Sequence, residues 1–172
     1  MPNTFIKIAT VSVGASGTSS IDFTSIPGTY TDLKILCSLR TDSSASSYGE
    51  MVYLKFNGST SNFSLKRLEG YGTTVTGSSE TDARFGRANN ASQTASAFAN
   101  IMVYIPNYAN STNKPWYSDA VNDTNGSTNE MFFHGALWSN TAAITSISIV
   151  GSEVGSKFVQ YSTATLYGIK NS

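Results

Sequence analysis

The chain has 172 residues, 75 of which are Ser, Thr, Asn or Gly, and its eleven basic and eleven acidic side chains cancel. Charged residues make up 13% of it, half of the ~25% usual in soluble domains, which excludes the clustered Lys and Arg that grip nucleic-acid phosphates or an anionic membrane surface. The length fits one domain over residues 1–172, large enough to bury a core without disulfide or metal staples.

In chain order the pattern predicts strands and no helices. No dozen-residue stretch keeps an apolar face at i, i+3, i+4 and i+7 without a Gly, a Pro or a Ser/Thr cluster breaking it, whereas short period-2 runs recur. They place strands at 5–13, 20–25, 31–40, 51–57, 62–69, 82–87, 97–105, 116–122, 130–138, 144–150, 156–161 and 163–169. The first changes phase: Ile6 and Ile8 share one parity, Val11 and Val13 the other, so a bulge or strand end is expected near Ala9-Thr10. Pro27 closes the second strand and Pro106 the seventh, because Pro cannot donate to a central ladder. In the third, Leu33, Ile35, Cys37 and Leu39 face inward while Lys34, Ser38 and Arg40 point the other way. Val52, Leu54 and Phe56 repeat that pattern, and Asn57-Gly58 after them marks a tight turn, since both residues tolerate positive φ. Asn125-Gly126 marks another, and the stretches 41–47 and 88–97 read as polar surface loops. Half-wet strands at short, regular spacing predict an all-β, antiparallel fold with polar loops, a β-sandwich or a barrel.

Material for catalysis is scarce. His134 is the only histidine; it lies in an aromatic strand with no nucleophile elbow and no second His or Cys for a zinc site, so it reads as a packed strand residue. Cys37, the only cysteine, reads as a buried apolar filler. Glu69, Glu80, Asp82, Asp119, Asp123, Glu130 and Glu153 could supply a glycosidase pair only if two of them faced each other across a cleft. Asp119 and Asp123 lack the spacing of a calcium loop and read as turn formers. Six Asn residues (57, 62, 90, 110, 122 and 125) fit the glycosylation pattern, as chance predicts for this composition. No catalytic residue, metal or cofactor is assigned. The aromatic residues near loops, Tyr48, Tyr71, Tyr108, Trp116 and Tyr117, are the candidates for an interface or for surface recognition, because Tyr and Trp pair an apolar body with a polar tip.

No apolar run nears the ~20 residues that cross a bilayer, and Met1-Pro2-Asn3-Thr4-Phe5 has neither the basic stretch nor the apolar core of a secretory signal. A series of phrases is more specific. Ile26-Pro27-Gly28-Thr29-Tyr30-Thr31-Asp32-Leu33 leads into Ser38-Leu39-Arg40, and Leu54-Lys55-Phe56-Asn57-Gly58 precedes Leu68-Glu69-Gly70-Tyr71-Gly72. Val103-Tyr104-Ile105-Pro106-Asn107-Tyr108 and Ala136-Leu137-Trp138 follow, and the chain runs out through Phe158-Val159-Gln160-Tyr161 to Leu166-Tyr167-Gly168-Ile169. This ordered set, which covers essentially the whole chain, resembles a family of small β-rich virion proteins of tailed bacteriophages. The resemblance implies a jelly-roll sandwich on the outside of the particle, a homotrimer, and no enzymatic activity. It implies a capsid decoration (cement) protein whose partners are the major capsid protein and sister subunits, assembled in the host cytoplasm. The rival readings are a tail-fibre or receptor-binding module for host glycans, carried by an aromatic platform at Tyr71, Tyr108 or Trp116, and a glycan-degrading enzyme.

Overall fold

The computed structural model describes residues 4–123 and 129–170, so the Asn125-Gly126 turn lies outside the described residues. Among the described residues, twelve strands form two antiparallel sheets that face each other across one core. They are β1 (Phe5–Ser12), β2 (Ser20–Phe23), β3 (Asp32–Leu39), β4 (Glu50–Phe56), β5 (Phe63–Tyr71) and β6 (Thr74–Glu80), followed by β7 (Arg84–Ala88), β8 (Ala99–Ile105), β9 (Lys114–Asn122), β10 (Glu130–Trp138), β11 (Ile147–Gly151) and β12 (Thr163–Ile169). The larger sheet runs β1-β12-β3-β8-β9-β10-β5-β6 and the smaller β2-β11-β4-β7.

Two kinds of pairing build these sheets. One is nested: β1 with β12, β2 with β11, β3 with β8 and β4 with β7, early strands pairing late ones as the chain winds from sheet to sheet. The other is local: β5 and β6 form a hairpin, β9 and β10 a second pair, and β5 joins β10. These four strands leave the nested set after β4 and after β8, and continue the larger sheet past β8. The molecule is therefore an eight-strand roll with a four-strand extension on one edge.

The alternation in the sequence sets the core. Leu33, Ile35 and Leu39 of the larger sheet meet Val52, Leu54 and Phe56 of the smaller one, each fully or almost fully buried; side chains of this kind each contribute about 1.5–3 kcal/mol on burial. Phe56 also joins an aromatic cluster at the root of the extension, with its ring centroid 5.6 Å from Trp138, 5.8 Å from Phe63 and 6.2 Å from Trp116. The smaller sheet comes close to the extension at Gly86, where a Cβ would stand 2.7 Å from that of Ala120. Cys37 is buried on β3, and burial pushes its thiol up to about 12, so it is an inert filler.

The expected bulge in the first strand is present, with the register shifting between Lys7 and Ala9. Asn57 and Gly58 both take positive φ (51° and 74°), and their turn passes the chain from the smaller sheet to the larger. Asn57 also accepts from the backbone N–H groups of Thr145 (2.8 Å) and Ser146 (3.1 Å) and donates to Ala143 O (2.8 Å), tying down the β10–β11 loop. The two predicted surface loops bind each other: Thr41 N donates to Asn89 O, Ala91 N to Ser43 O, and Asn90 Nδ2 to Ser46 O.

Several strand bounds shift from the pattern, the strand expected at 144–150 running Ile147–Gly151, and other departures are larger or more telling. Residues 156–161 do not form a strand. Phe158 alone is buried there, making isolated bridges to Thr18 and Thr41 across the end of the sandwich, and Tyr161 at φ 73° breaks the extended run. β6 forms where no strand was expected, because Thr74-Val75-Thr76-Gly77-Ser78-Ser79-Glu80 carries no apolar alternation; it is held by its ladder to β5. β9 begins two residues early and includes Pro115, which lies past the last β8 partner pair, Tyr104 with Tyr117.

Candidate functional site

The five aromatic candidates fall into three environments. Tyr108 and Trp116 are not surface residues: Tyr108 is fully buried and Trp116 is 2% exposed. Tyr108 folds under the loop after Pro106, its hydroxyl donating to Pro27 O, and its carbonyl accepts from Ile144 N at 3.0 Å. Trp116 has the inward parity of β9 and stands edge-on to Phe56. Both belong to the core, so of the three residues offered for an aromatic platform only Tyr71 lies at the surface.

Tyr48 and Tyr71 remain at the surface, 38% and 37% exposed, and pack edge to face with centroids 5.4 Å apart. A hydrogen bond with Tyr48 is the largest of the effects that push the Tyr71 phenol up. Tyr71 ends β5; Tyr48 comes from the loop before β4 and is fixed by Asn122, which donates from Nδ2 to Tyr48 O (2.8 Å) while its Oδ1 accepts from Glu130 N (2.9 Å). Together with Glu69, Thr74, Thr76, Arg87 and Glu130 they line a cleft of about 350 Å³, where the inward face of the extension runs out beyond β7, the edge strand of the smaller sheet.

Charge is concentrated along this seam. Arg67 pairs with Glu69 at 3.0 Å, Arg87 Nε lies 3.3 Å from Glu130 Oε2, and Arg84 grips Asp82 through two nitrogens with Glu80 3.5 Å away. The Arg87 guanidinium also stands 5.9 Å from the Tyr48 ring centre. Burial pushes the Glu130 carboxyl up to about 7, against the pull of Arg87 and with the adjacent Glu69 carboxyl adding to the rise. His134, further along the same face of β10, is fully buried, stacked on Phe132 and bonded through Nδ1 to Ser118 Oγ at 3.0 Å. Burial, reinforced by the positive charges of Arg67 and Arg84, holds its imidazole down at about 4. It is thus a neutral packing residue at ordinary pH, as its strand context predicts. Among the described residues no group of three or more His, Cys, Asp and Glu is placed to hold a metal ion.

Tyr117 lies on the opposite, outward face of the extension, between Tyr104 (5.5 Å) and Phe133 (6.0 Å). Around it is a surface that the reading of single aromatics missed. Leu68, Val75, Val121, Met131 and Phe133 are 44–75% exposed and occupy adjoining positions, Leu68 opposite Phe133, Val121 opposite Met131, and Val75 opposite Gly70. A shallow groove of about 350 Å³ runs among them. The charged groups on this face are Asp119 and Lys66, each beside the apolar side chains rather than paired across them. The sequence did carry a signal: Met131-Phe132-Phe133 is apolar on both parities of one strand.

No protein-family model, no curated protein and no solved structure matches this chain.

Proposed function

We propose that this chain is a structural protein of a tailed-bacteriophage virion, specifically a capsid decoration protein that seats on the outer capsid surface and bridges neighbouring capsomers. The reading is non-enzymatic. Its partners are the major capsid protein and sister subunits in a homotrimer, three-fold clusters being natural on an icosahedral shell.

The observation that carries this reading is the outward face of the extension. Its exposed Leu, Val, Met, Phe and Tyr side chains adjoin one another across four strands, and an exposed apolar patch of this kind is a mark of an interaction site. The face is an extended sheet surface, suited to lying against another protein wall. The nested pairing of the eight-strand roll also supports the reading: early strands alternate with late ones in both sheets, which we take as a jelly roll carrying two insertions, an architecture recurrent in capsid domains. The ordered phrases from Ile26 to Ile169 point the same way. Each contact would be modest, and the many copies around a closed shell would stabilise it together.

The test is to compare particles assembled with and without this protein. Complete particles are expected to withstand heating and osmotic shock that open the depleted ones. Equal resistance would remove the cement role.

A further inference from the structure

The two sheets end in four edge strands, and three of them are built against pairing with another chain. β1 carries a lysine and the register shift between Lys7 and Ala9. β2 has four residues, Asp22 among them. β7 has five, two of them arginines, and its register on β4 shifts between Gly86 and Arg84. Short length, charge and bulges keep an edge from templating a further strand. β6 lacks these devices. It follows β5 in unbroken register over seven residues, contains no Pro, and holds its one charge, Glu80, at its last position. Among the described residues no strand lies on its far side.

The turn before β6 determines which backbone groups that edge offers. Gly72 and Thr73 alone separate Tyr71 from Thr74, with Gly72 at φ 54°, and a two-residue hairpin of this kind closes on a hydrogen-bonded pair. Bonding alternates from there, so Thr74, Thr76 and Ser78 direct their backbone groups to β5, while Val75, Gly77 and Ser79 turn theirs outward. A second β6 laid antiparallel about a twofold axis at Gly77 meets those groups in kind. Val75 falls opposite Ser79 and Gly77 opposite its own copy, and each such pair exchanges two hydrogen bonds. Thr76 falls opposite Ser78, a hydroxyl pair of the sort that stabilises neighbouring strands. Glu80 falls opposite Thr74, so no like charges meet. Gly77 puts no side chain at the axis. Val75, 75% exposed, shares the outward face with Gly77 and Ser79. A groove of about 460 Å³ opens beside the edge over Leu68, Gly77, Ser79 and Phe133, and Val75 of the second copy, opposite Ser79, meets its rim.

We propose that β6 pairs antiparallel with the β6 of a second copy of this chain, about a twofold axis at Gly77, joining the two larger sheets into one. The occupant is a second copy because the strand is its own complement under that axis in backbone groups, side-chain size and charge. The contact is isologous and therefore separate from the threefold cluster of the proposed function; it links copies in neighbouring clusters. It does not rest on the capsid reading.

Cysteine cross-linking on the full chain tests the register. Thr76 and Ser78 of the second copy form a non-hydrogen-bonded pair, with Cα atoms about 4.5 Å apart, which a disulfide bridges. Like positions on the two copies stand about 7–8 Å apart, which it does not. An equimolar mixture of Thr76→Cys and Ser78→Cys chains in a glutathione redox buffer is expected to give covalent dimers, and either variant alone is not. Cys37 is buried and adds no background. Adding Val75→Lys and Ser79→Lys to both chains sets lysines opposite each other across the pair and should lower the dimer yield about tenfold. Val75 and Ser79 are surface side chains, and matching amide spectra of the variants confirm that they fold. Absence of cross-links in the mixture overturns the proposal. So does equal cross-linking in either single-variant sample, or a yield that the added lysines leave unchanged. Particle stability measurements decide the capsid reading separately, whatever the outcome here.

Discussion

The roll and the extension share one sheet, yet they treat its outer face in opposite ways. On β12, β3 and β8 the outward positions are Thr163, Thr165, Tyr167, Lys34, Leu36, Ser38, Asn100, Met102 and Tyr104, among which only Leu36 is a widely exposed large aliphatic residue. On β9, β10, β5 and β6 they include Val121, Met131, Phe133, Leu68 and Val75. The inner faces differ in the opposite sense. The roll is largely apolar within, with Glu50 buried at the end of the inward row of β4, while the inner face of the extension grades from the Trp138 cluster into Arg67, Glu69 and Glu130, met by Arg87 of β7, as the smaller sheet ends. A core needs its apolar residues between the sheets; a strand that places them outside and its charges inside is shaped by something beyond its own fold. The contrast places the stabilising core in the roll and its aromatic root, and on the proposed function it gives recognition to the extension.

The largest effect should come where the two regions are joined. Trp138→Ala removes the ring that links β10 to Phe56 and Phe63, and should cost about 3–5 kcal/mol. Urea unfolding should show a lower midpoint with an unchanged slope. A shift of a few tenths of a kcal/mol would mean that the extension is a loosely attached appendage and that the comparison is drawn at the wrong boundary. Gly86→Ala probes the other junction. Its new Cβ would meet Ala120 at 2.7 Å, at a backbone φ of 154° that side chains rarely adopt, and a loss of about 1–3 kcal/mol is expected in the same assay.

The seam should also be visible in the pH dependence of stability. His134 titrates at about 4 when folded against 6.5 in the unfolded chain, so between those values the unfolded chain binds the proton first and stability falls as pH falls. Glu130 titrates at about 7 when folded against 4.5 unfolded, so across that interval the folded chain holds the proton and stability rises as pH falls. The two slopes oppose each other between pH 4.5 and 6.5. Glu130→Gln should uncover the His134 slope, making the protein less stable at the acid end of that window relative to the parent. His134→Gln should uncover the reverse. Thermal melts at pH 4.5 and 6.5 distinguish them, and parallel curves for all three proteins would contradict the assignment. The smallest stability effects belong to the outward face. Phe133→Ser on the extension and Leu36→Thr on the roll should each change stability by less than about 0.5 kcal/mol. Only Phe133→Ser should reduce binding to particles, as judged by co-sedimentation.

Much of the fold was legible because the roll obeys period 2. Leu33, Ile35 and Leu39, and Val52, Leu54 and Phe56, alternate strictly and face the core as that alternation requires. β6 was invisible because neither of its faces is buried: it is specified by the β5 ladder and the Gly72-Thr73 turn, and backbone pairing leaves little trace in side-chain pattern. The false strand at 156–161 had apolar residues at the right spacing, but its chain is held by bridges at the sandwich end instead of by a sheet. The site was harder. Tyr108 and Trp116 lie near Pro and Asn residues that mark loops, yet the chain folds them inward, which no local signal separates from Tyr48 and Tyr71. Glu69 and Glu130 lie 61 positions apart and meet only because β5 and β10 are neighbours, a long-range pairing that one sequence does not encode legibly.

Imaging of intact particles, at a resolution sufficient to place this sandwich, tests the central claim most directly. The account predicts density for the chain on the outer capsid surface, with Leu68, Val121, Met131 and Phe133 covered by capsid protein or a sister subunit and Lys34, Ser38 and Thr165 open to water. A fold located in the tail, or one on the capsid with that apolar face turned to solvent, would contradict it.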